Sequence, residues 1–365
     1  MKRLPCLSLN LDALKKNAEV ITAECARHGI TVAGVVKFSD GDVNVARAYK
    51  DGGCRQIAVS RAKHLAPIKA ALGDCETLLT RTPPRCDIKD TAKYADLSLH
   101  SDKGALIALN DAAGEEGTTP GIILMLDVGD LREGVDSVDA LVKLAVFVEE
   151  NLKNLKLRGV GTNLACLNGV LPDEKNLSYL LEGKRAVEKA IGRELEYASG
   201  GSSINTLLLQ GGENKMPRGI NHLRIGGMIA NPINIRLNRG ISFEGMREDS
   251  VTLTAEIVEL TEKDSAPKNT SAKNWAGEII KTEDKGRRMR AILAIGEQDI
   301  GHPAYLLPME DGIEVVGGSS DHTILDVTDA KRPLSTGDTV SFRLKYAAML
   351  YAFTGDHVEI EYLHD

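Results

Sequence analysis

Nowhere in this 365-residue chain do apolar residues run on for the roughly 18 positions of a membrane-crossing helix. A helical membrane protein is therefore excluded. The net charge is −7 with the two signs interspersed, which argues against a nucleic-acid partner. The opening Met-Lys-Arg-Leu-Pro-Cys-Leu is basic but has no long apolar core, so no secretory signal is expected. The six cysteines (Cys6, Cys25, Cys54, Cys75, Cys86, Cys166) lie far apart without a CxxC pair. In a chain this large they read as reduced thiols, and a cytoplasmic location is the expectation. Internal repeats and low-complexity segments are absent too.

What is present is an apolar content of 42%, enough for a sizeable core, in a length that suits two domains. Residues 5–10 read as a short strand, and Leu11, Leu14, Ala18, Ile21 and Cys25 then follow helical spacing. Eight short apolar runs follow, at 31–37, 55–59, 77–80, 96–99, 121–128, 157–162, 195–199 and 222–226. Amphipathic stretches separate most of them, among them Val43–Lys50, Ala62–Leu72, Ser137–Leu152 and Asn176–Ile191. Strand alternating with helix predicts a parallel sheet, and eight units over this length predict an α/β (β/α)8 TIM barrel across residues 11–235. Helices are hardest to place after the third and seventh strands. From residue 236 to 365 the texture changes. Strands near 250–260, 290–296, 313–317, 323–327, 338–345 and 357–363 have no strong helix between them, and Glu262–Ala276 reads as a polar loop. This half is predicted to be a C-terminal all-β domain, with the N-terminal strand (1–10) joining it.

Barrel enzymes carry their sites on the loops after the strands. Thr31-Val-Ala-Gly-Val-Val-Lys37 delivers an amine at the tip of the first strand, a common way to present a Schiff-base lysine, though a solvated lysine is the plainer reading. Ser60-Arg61, Arg81 and His100 end the next three strands. Asp127-Val-Gly-Asp-Leu-Arg132-Glu-Gly134 ends the fifth. Arg132 could fork onto a substrate carboxylate, or pair with Asp127, Asp130 or Glu133. Ser199-Gly-Gly201-Ser202-Ser203 follows the seventh strand and opens a helix near Ile204. Backbone N–H groups and hydroxyls there suit a phosphate; a flexible turn with a serine cap is the alternative. Arg224 lies within the apolar eighth strand, so a buried guanidinium there needs a specific partner, cofactor or carboxylate. An amine and a phosphate loop at one barrel mouth point to pyridoxal 5′-phosphate as cofactor.

These positions match a family. The chain resembles the alanine racemase-like, fold-type III pyridoxal-phosphate enzymes over nearly its whole length, and within them looks most like amino-acid racemases of the ornithine racemase type. Leu7-Ser-Leu-Asn-Leu-Asp12 is like the family's first strand and helix, and Val36-Lys37 like the strand end bearing the Schiff-base lysine. Leu126-Asp-Val-Gly-Asp-Leu-Arg132-Glu-Gly-Val135 is similar to the loop whose arginine binds the substrate carboxylate. Gly159-Val-Gly-Thr-Asn-Leu-Ala-Cys166 resembles the segment that turns a side chain, here Asn163, toward the cofactor ring. In Leu223-Arg224-Ile-Gly226-Gly227 the resemblance implies an arginine at the pyridine nitrogen and glycines at the phosphate. Arg290–Asp299 and Val315–Thr328 resemble two signature stretches of the β domain. There are departures. The Ala-Tyr-Gly segment soon after the lysine is Phe38-Ser-Asp-Gly41 here. The tyrosine that is the second base has no counterpart around Asn269–Glu278, and the tyrosine of a Gly-Tyr-x-Asp stretch is Glu297. No His-x-Cys or His-x-Asp follows His322, so no metal is expected.

The resemblance implies racemisation of an amino acid by two bases, one on each face of the α-carbon. Lys37 is one. Asp321 and His322 are candidates for the other, with Cys166 and Tyr305 behind them. Glu297, Asp299 and Asp321 could receive a distal ammonium, which would favour a basic substrate such as ornithine or lysine; ordinary surface acid is the alternative. A head-to-tail homodimer with shared sites is implied. The rivals are a pyridoxal-phosphate lyase acting on a β-hydroxy amino acid, a non-catalytic pyridoxal-phosphate protein, and a barrel without a cofactor.

Overall fold

A computed structural model of the chain describes residues 3–211, 215–268, 273, 277, 279 and 283–365. The chain forms two compact units, residues 11–247 and residues 1–10 with 248–365.

The first unit is a closed barrel of eight parallel strands. The N-terminal strand β1 (Cys6–Asn10) precedes it, and its own strands are β2 (Thr31–Val35), β3 (Gln56–Val59), β4 (Glu76–Leu79), β5 (Leu97–His100), β6 (Gly121–Met125), β7 (Lys156–Gly161), β8 (Tyr197–Ser202) and β9 (His222–Ile225). Each pairs with its sequence neighbour, and β9 closes on β2 through Thr31 opposite His222. The barrel interior holds Ala33, Ala58, Leu78, Leu97, Leu99, Ile123, Met125 and Tyr197. The intervening helices start at side-chain caps. Asp42 accepts from Val45 N, Asp102 from Ala105 N, Ser137 from Ala140 N and Asp173 from Asn176 N. Two helices hard to place from sequence are short. Ile88–Tyr94 follows β4, and a 3₁₀ helix, Ser203–Leu209, follows β8.

The barrel unit runs on to Arg247, past the 235/236 change read from sequence. The reason is the helix Pro232–Arg239 and the return of the chain to the first helix, Leu11–Arg27. There Asn17 donates to the carbonyls of Ile229 and Arg247 and accepts from Arg247 N.

The second unit is a sheet that is antiparallel except at one edge, where its first and last strands run parallel. Its strands are β10 (Val251–Asp264), β11 (Arg287–Leu293), β12 (Leu306–Pro308), β13 (Glu314–Gly318), β14 (Thr323–Asp326), β15 (Thr339–Leu344) and β16 (Glu359–Leu363). The order is β12-β15-β10-β11-β14-β13. β1 pairs with β10 and with β16. The unit differs from the sequence reading in several places, among them β12, which lies in no run read as a strand. β10 continues to Asp264, into the stretch read as loop, because its polar end pairs with Arg287–Arg290. A helix, Tyr346–Thr354, follows β15; its near-uniform apolar run has no polar face to give a helical period. Most of Asn269–Glu278, where a family tyrosine was sought, lies outside the described residues. Among the described residues no helix is long and apolar enough to cross a membrane.

Candidate active site

Lys37 stands just past the carboxyl end of β2. The strand stops at Val35, two residues before the run predicted from sequence, and Lys37–Ser39 form a 3₁₀ turn. Val36 N still bonds to Ala58 O of β3, so the lysine leaves the barrel wall on an anchored residue. The turn is closed by Gly41 N on Val36 O and Ser39 Oγ on Val36 O at 3.1 Å. The lysine side chain is exposed at the mouth.

The sequence treats Ser199–Ser203 as a loop after the seventh strand. In the structure β8 extends through Ser202, and Ser199 is an interior strand residue. It faces His222 and Arg224, which share one side of β9 because strand side chains alternate. All three are buried. Arg224 Nη1 donates to Ser199 Oγ, and Nη2 donates to Thr162 O at 2.8 Å.

From Ser199 a hydrogen-bonded chain runs down the barrel. Ser199 Oγ lies 2.8 Å from His222 Nδ1, and His222 Nε2 lies 2.9 Å from Gln56 Oε1. Gln56 Nε2 donates to Glu76 at 2.7 Å and to Tyr197 Oη at 3.1 Å. Arg158 ends the chain, bonding Tyr197 Oη and pairing with Glu76 and Glu196. The chain has one direction. A carboxylate only accepts, so Gln56 turns its amide nitrogen to Glu76 and its oxygen to His222. His222 therefore carries its proton on Nε2 and accepts at Nδ1 from the Ser199 hydroxyl. That hydroxyl accepts from Arg224. A guanidinium stands at one end and a carboxylate at the other, with every dipole between them aligned. This is how a buried cation is held with neutral groups in contact. Burial still lowers Arg224 from 12.5 to about 10, leaving it cationic at neutral pH. Burial, and then Arg224, push His222 down to about 3, so the ring is neutral.

The loop after β6 carries Arg132 and is held at several points. Asp127 Oδ1 accepts from Gly129 N at 2.8 Å and Leu131 N at 3.2 Å. Asp130 is buried and accepts from Leu167 N and Asn168 N of the loop after β7, at 3.2 and 3.1 Å. Its burial would raise it, but these backbone bonds outweigh that and hold it below the usual carboxylate range. Gly134 has φ 131° and a Cβ there would sit 2.4 Å from Asp127 N, so only glycine closes the loop. Arg132 meets one of the three carboxylates named for it. Its guanidinium takes the Glu133 carboxylate in a two-pronged contact, Nε on Oε2 and Nη2 on Oε1.

Two buried polar atoms beside Arg224 hydrogen-bond to nothing in the protein: Asn163 Nδ2 and Thr162 Oγ1. Close by, Gly226 N and Met228 N converge on Ser203 Oγ, both at 3.2 Å. A Cβ on Gly226 would lie 2.7 Å from Val35 O, so this backbone packs directly against the end of β2. Gly201 and Ser202 lead into that corner, where Ser202 N bonds to Asn205 Oδ1 at 3.0 Å. Lys37, Arg132, Asn163, Ser199, Ser203, Arg224, Gly226 and Gly227 thus all belong to the barrel unit, around the carboxyl ends of its strands. His100 does not face a loop. It ends β5 fully buried against Ser98, its titration lowered to about 4 by burial.

Glu297, Asp299, Asp321 and His322 belong to the other unit. They gather at one corner of it, where Glu297 N and Gln298 N bond to Ser319 O and Ser320 O. Asp321 accepts from Gln298 and Ser320, and both Asp321 and His322 are exposed. Asp299 is buried and its carboxylate accepts from Gly296 N at 3.1 Å, which makes it a cap of its own short helix. Sequence reasoning assigned no role to Gln56, Glu76, Thr162 or His222. The signal for His222 was the strand period of two that puts it on the face of Arg224.

Residues 9–230 match the family described as alanine racemase, N-terminal domain. The chain belongs to that family. It is 35% identical over 361 residues to the ornithine racemase of Acetoanaerobium sticklandii, covering 98% of this chain and 99% of that one. It is 34% identical over 358 residues to the lysine racemase of Thermotoga maritima, covering 98% of each. Among solved structures, the alanine racemase from D-cycloserine producing Streptomyces lavendulae has a TM-score of 0.72 at 18% identity, over 100% of this chain and 98% of that one. The D-threonine aldolase of Filomicrobium marinum also has a TM-score of 0.72, at 15% identity over 95% and 89%. The barrel followed by an antiparallel sheet is the alanine racemase fold, and at such identities these structures speak for the fold alone.

Proposed function

We propose that this protein is an amino-acid racemase that interconverts the L and D forms of a basic amino acid, ornithine or lysine, with pyridoxal 5′-phosphate. The observation that carries this is the full-length likeness to an ornithine racemase and a lysine racemase at 35% and 34% identity. The residues at the barrel mouth fit the cofactor. A buried guanidinium with orphaned amide and hydroxyl donors beside it suits an anionic, ring-bearing group. Lys37 would meet its aldehyde, Arg224 its ring nitrogen and Asn163 its ring, while Gly201, Ser202, Ser203, Gly226 and Gly227 would take its phosphate and Ser199 would support Arg224. Bound there, the cofactor supplies an aldehyde for the amine and a conjugated ring that spreads negative charge from the α-carbon.

The chain's own groups do the rest. Arg132 holds the substrate carboxylate with its fork, which already fits a carboxylate in the pair with Glu133. Lys37 Nζ removes or returns the α-proton on one face. Arg224 keeps its proton at neutral pH, so beside the ring nitrogen it would be a donor that does not transfer. Asp321 or His322, from the β unit of a second copy, is the candidate for the opposite face. Glu297 and Asp321 are candidates for the distal ammonium, whereas Asp299 is held by Gly296 N. A reducing, cytoplasmic setting goes with this reading, as all six cysteines are free thiols. A lyase reading has only fold-level likeness behind it.

The test is interconversion of L- and D-ornithine and of L- and D-lysine by the cofactor-loaded protein, followed by chiral chromatography. Both directions should run, and Lys37→Ala should lose both the activity and the visible absorbance of bound cofactor. A wild-type protein that binds cofactor but interconverts neither pair would contradict the proposal.

A further inference from the structure

The segment that follows β7 is pinned at two points. At its start, Thr162 O accepts from Arg224 Nη2 at 2.8 Å. Past Cys166, Leu167 N donates to Asp130 Oδ2 and Asn168 N to Asp130 Oδ1, at 3.2 and 3.1 Å. Asn168 Nδ2 returns the contact, donating to Asp130 O at 2.7 Å. Asp130 is 1% exposed and sits in the loop after β6, two residues before Arg132. One buried carboxylate thus ties two loops of the barrel mouth together. Leu167 and Asn168 are themselves exposed, so burial does not hold them there.

The stretch between the pins, residues 163–166, carries strain. Ala165 has φ 62°, a left-handed conformation that a side chain rarely adopts. Leu131, beside Asp130 in the other loop, has φ 55°. Such conformations persist only where the surrounding bonds over-determine the backbone. Asn163, inside the pinned stretch, is buried, and its Nδ2 has no partner in the protein. Cys166, also inside it, lies within electrostatic reach of both Arg132 and Arg224. The two loops converge on one place.

We infer that Asp130 is a positioning residue: it clasps the Arg132 loop to the Asn163 segment, so that the grip on the substrate carboxylate and the contact to the cofactor ring keep a fixed distance. Asp130 is buried and acts only through the two loops. A substrate held at its carboxylate by one loop is registered against a ring met by the other only while the clasp is closed. A slip of about 1 Å between two such contacts can cost about a hundredfold in rate. Both carboxylate oxygens are in use, so an amide in place of Asp130 would turn a donor toward one of the two N–H groups. The inference rests on the racemase reading, which gives Arg132 the substrate carboxylate and Asn163 the ring.

The experiment uses the cofactor-loaded wild type, Asp130→Ala and Asp130→Asn, with ornithine and lysine as substrates. Amide hydrogen exchange, read by mass spectrometry, follows the peptide that holds Leu167 and Asn168. In Asp130→Ala that peptide should lose protection while the barrel strands keep theirs. Racemisation kcat/KM should fall by about a hundredfold. Repeating the substitution in an Arg132→Lys background separates positioning from mere stability. If Asp130 acts through Arg132, its loss should cost about threefold or less there, because the grip it orders is already spoiled. A loss as large in that background as in the wild type overturns the positioning role and leaves the racemase reading intact. So does a Leu167–Asn168 peptide as protected as before. Asp130→Asn keeps the shape and one accepting oxygen; it goes through the same cycle and decides the matter if Asp130→Ala does not fold. Wild-type protein that racemises neither ornithine nor lysine overturns the racemase reading and the role of Asp130 with it, and exchange then still reports whether Asp130 clasps the two loops.

Discussion

At the scale of single residues, the main fact is a cation buried without a carboxylate in its grip. Arg224 reaches Glu76 only through Ser199, His222 and Gln56, each donating to the next. The arrangement needs His222 neutral, since a proton on Nδ1 would oppose the Ser199 hydroxyl and through it Arg224. This has a consequence for stability. The unfolded chain takes up a proton on histidine near pH 6.5, whereas the folded chain resists down to about 3 at His222 and about 4 at His100. Across that window the unfolded state binds more protons, so stability is lost as the pH falls. Each histidine should contribute about 1.4 kcal/mol per pH unit to that slope. Urea unfolding between pH 6.5 and 4 should show it, and His222→Asn should remove one proton's worth of slope. A slope that the substitution leaves unaltered would mean that His222 is charged in the fold.

At the scale of elements, the loop from Asp127 to Gly134 is built for rigidity, and the anchor easiest to break is Gly134. Gly134→Ala places a methyl group against Asp127 N in a backbone region that costs a side chain about 1–3 kcal/mol. Substrate KM should rise as Arg132 is misplaced, while the thermal midpoint falls by only a few degrees for a chain of this size. A lowered kcat with unchanged KM would place Arg132 outside substrate binding. The strand and helix order of the barrel was legible because both periods are regular there; Arg224 stood out as a charge within an apolar strand, and Arg132 as an arginine in the loop at a strand end. Gly200–Ser202 was not legible as strand. Gly-Gly-Ser has little strand preference of its own, and it is carried on as strand by the pairing with β9, across a register shift between Ser199 and Ser202. Nor could sequence show the alignment Gln56–His222–Ser199, since it joins three strands far apart in the chain. The short helix Tyr346–Thr354 escaped for the opposite reason, having apolar residues on every face.

At the scale of the whole molecule, the candidate site residues are divided between two units. The barrel holds Lys37, Arg132, Arg224 and the Gly226 corner, and the β unit holds Asp321 and His322. If each site is completed by the β unit of a second copy, two inactive variants should rescue one another. Lys37→Ala mixed and refolded with Asp321→Ala should regain activity, because half of the mixed pairs' sites are then intact, and light scattering should report a dimer. Monomeric, active protein would contradict the shared site. The central claim is that the barrel mouth exchanges the α-hydrogen of a basic amino acid, and nuclear magnetic resonance in D₂O measures this directly. The account predicts that the cofactor-loaded protein replaces the α-hydrogen of both L- and D-ornithine or lysine with deuterium, much faster than that of alanine, and that Lys37→Ala abolishes the exchange. Aldehyde release from a β-hydroxy amino acid, with no α-exchange in ornithine or lysine, would contradict it.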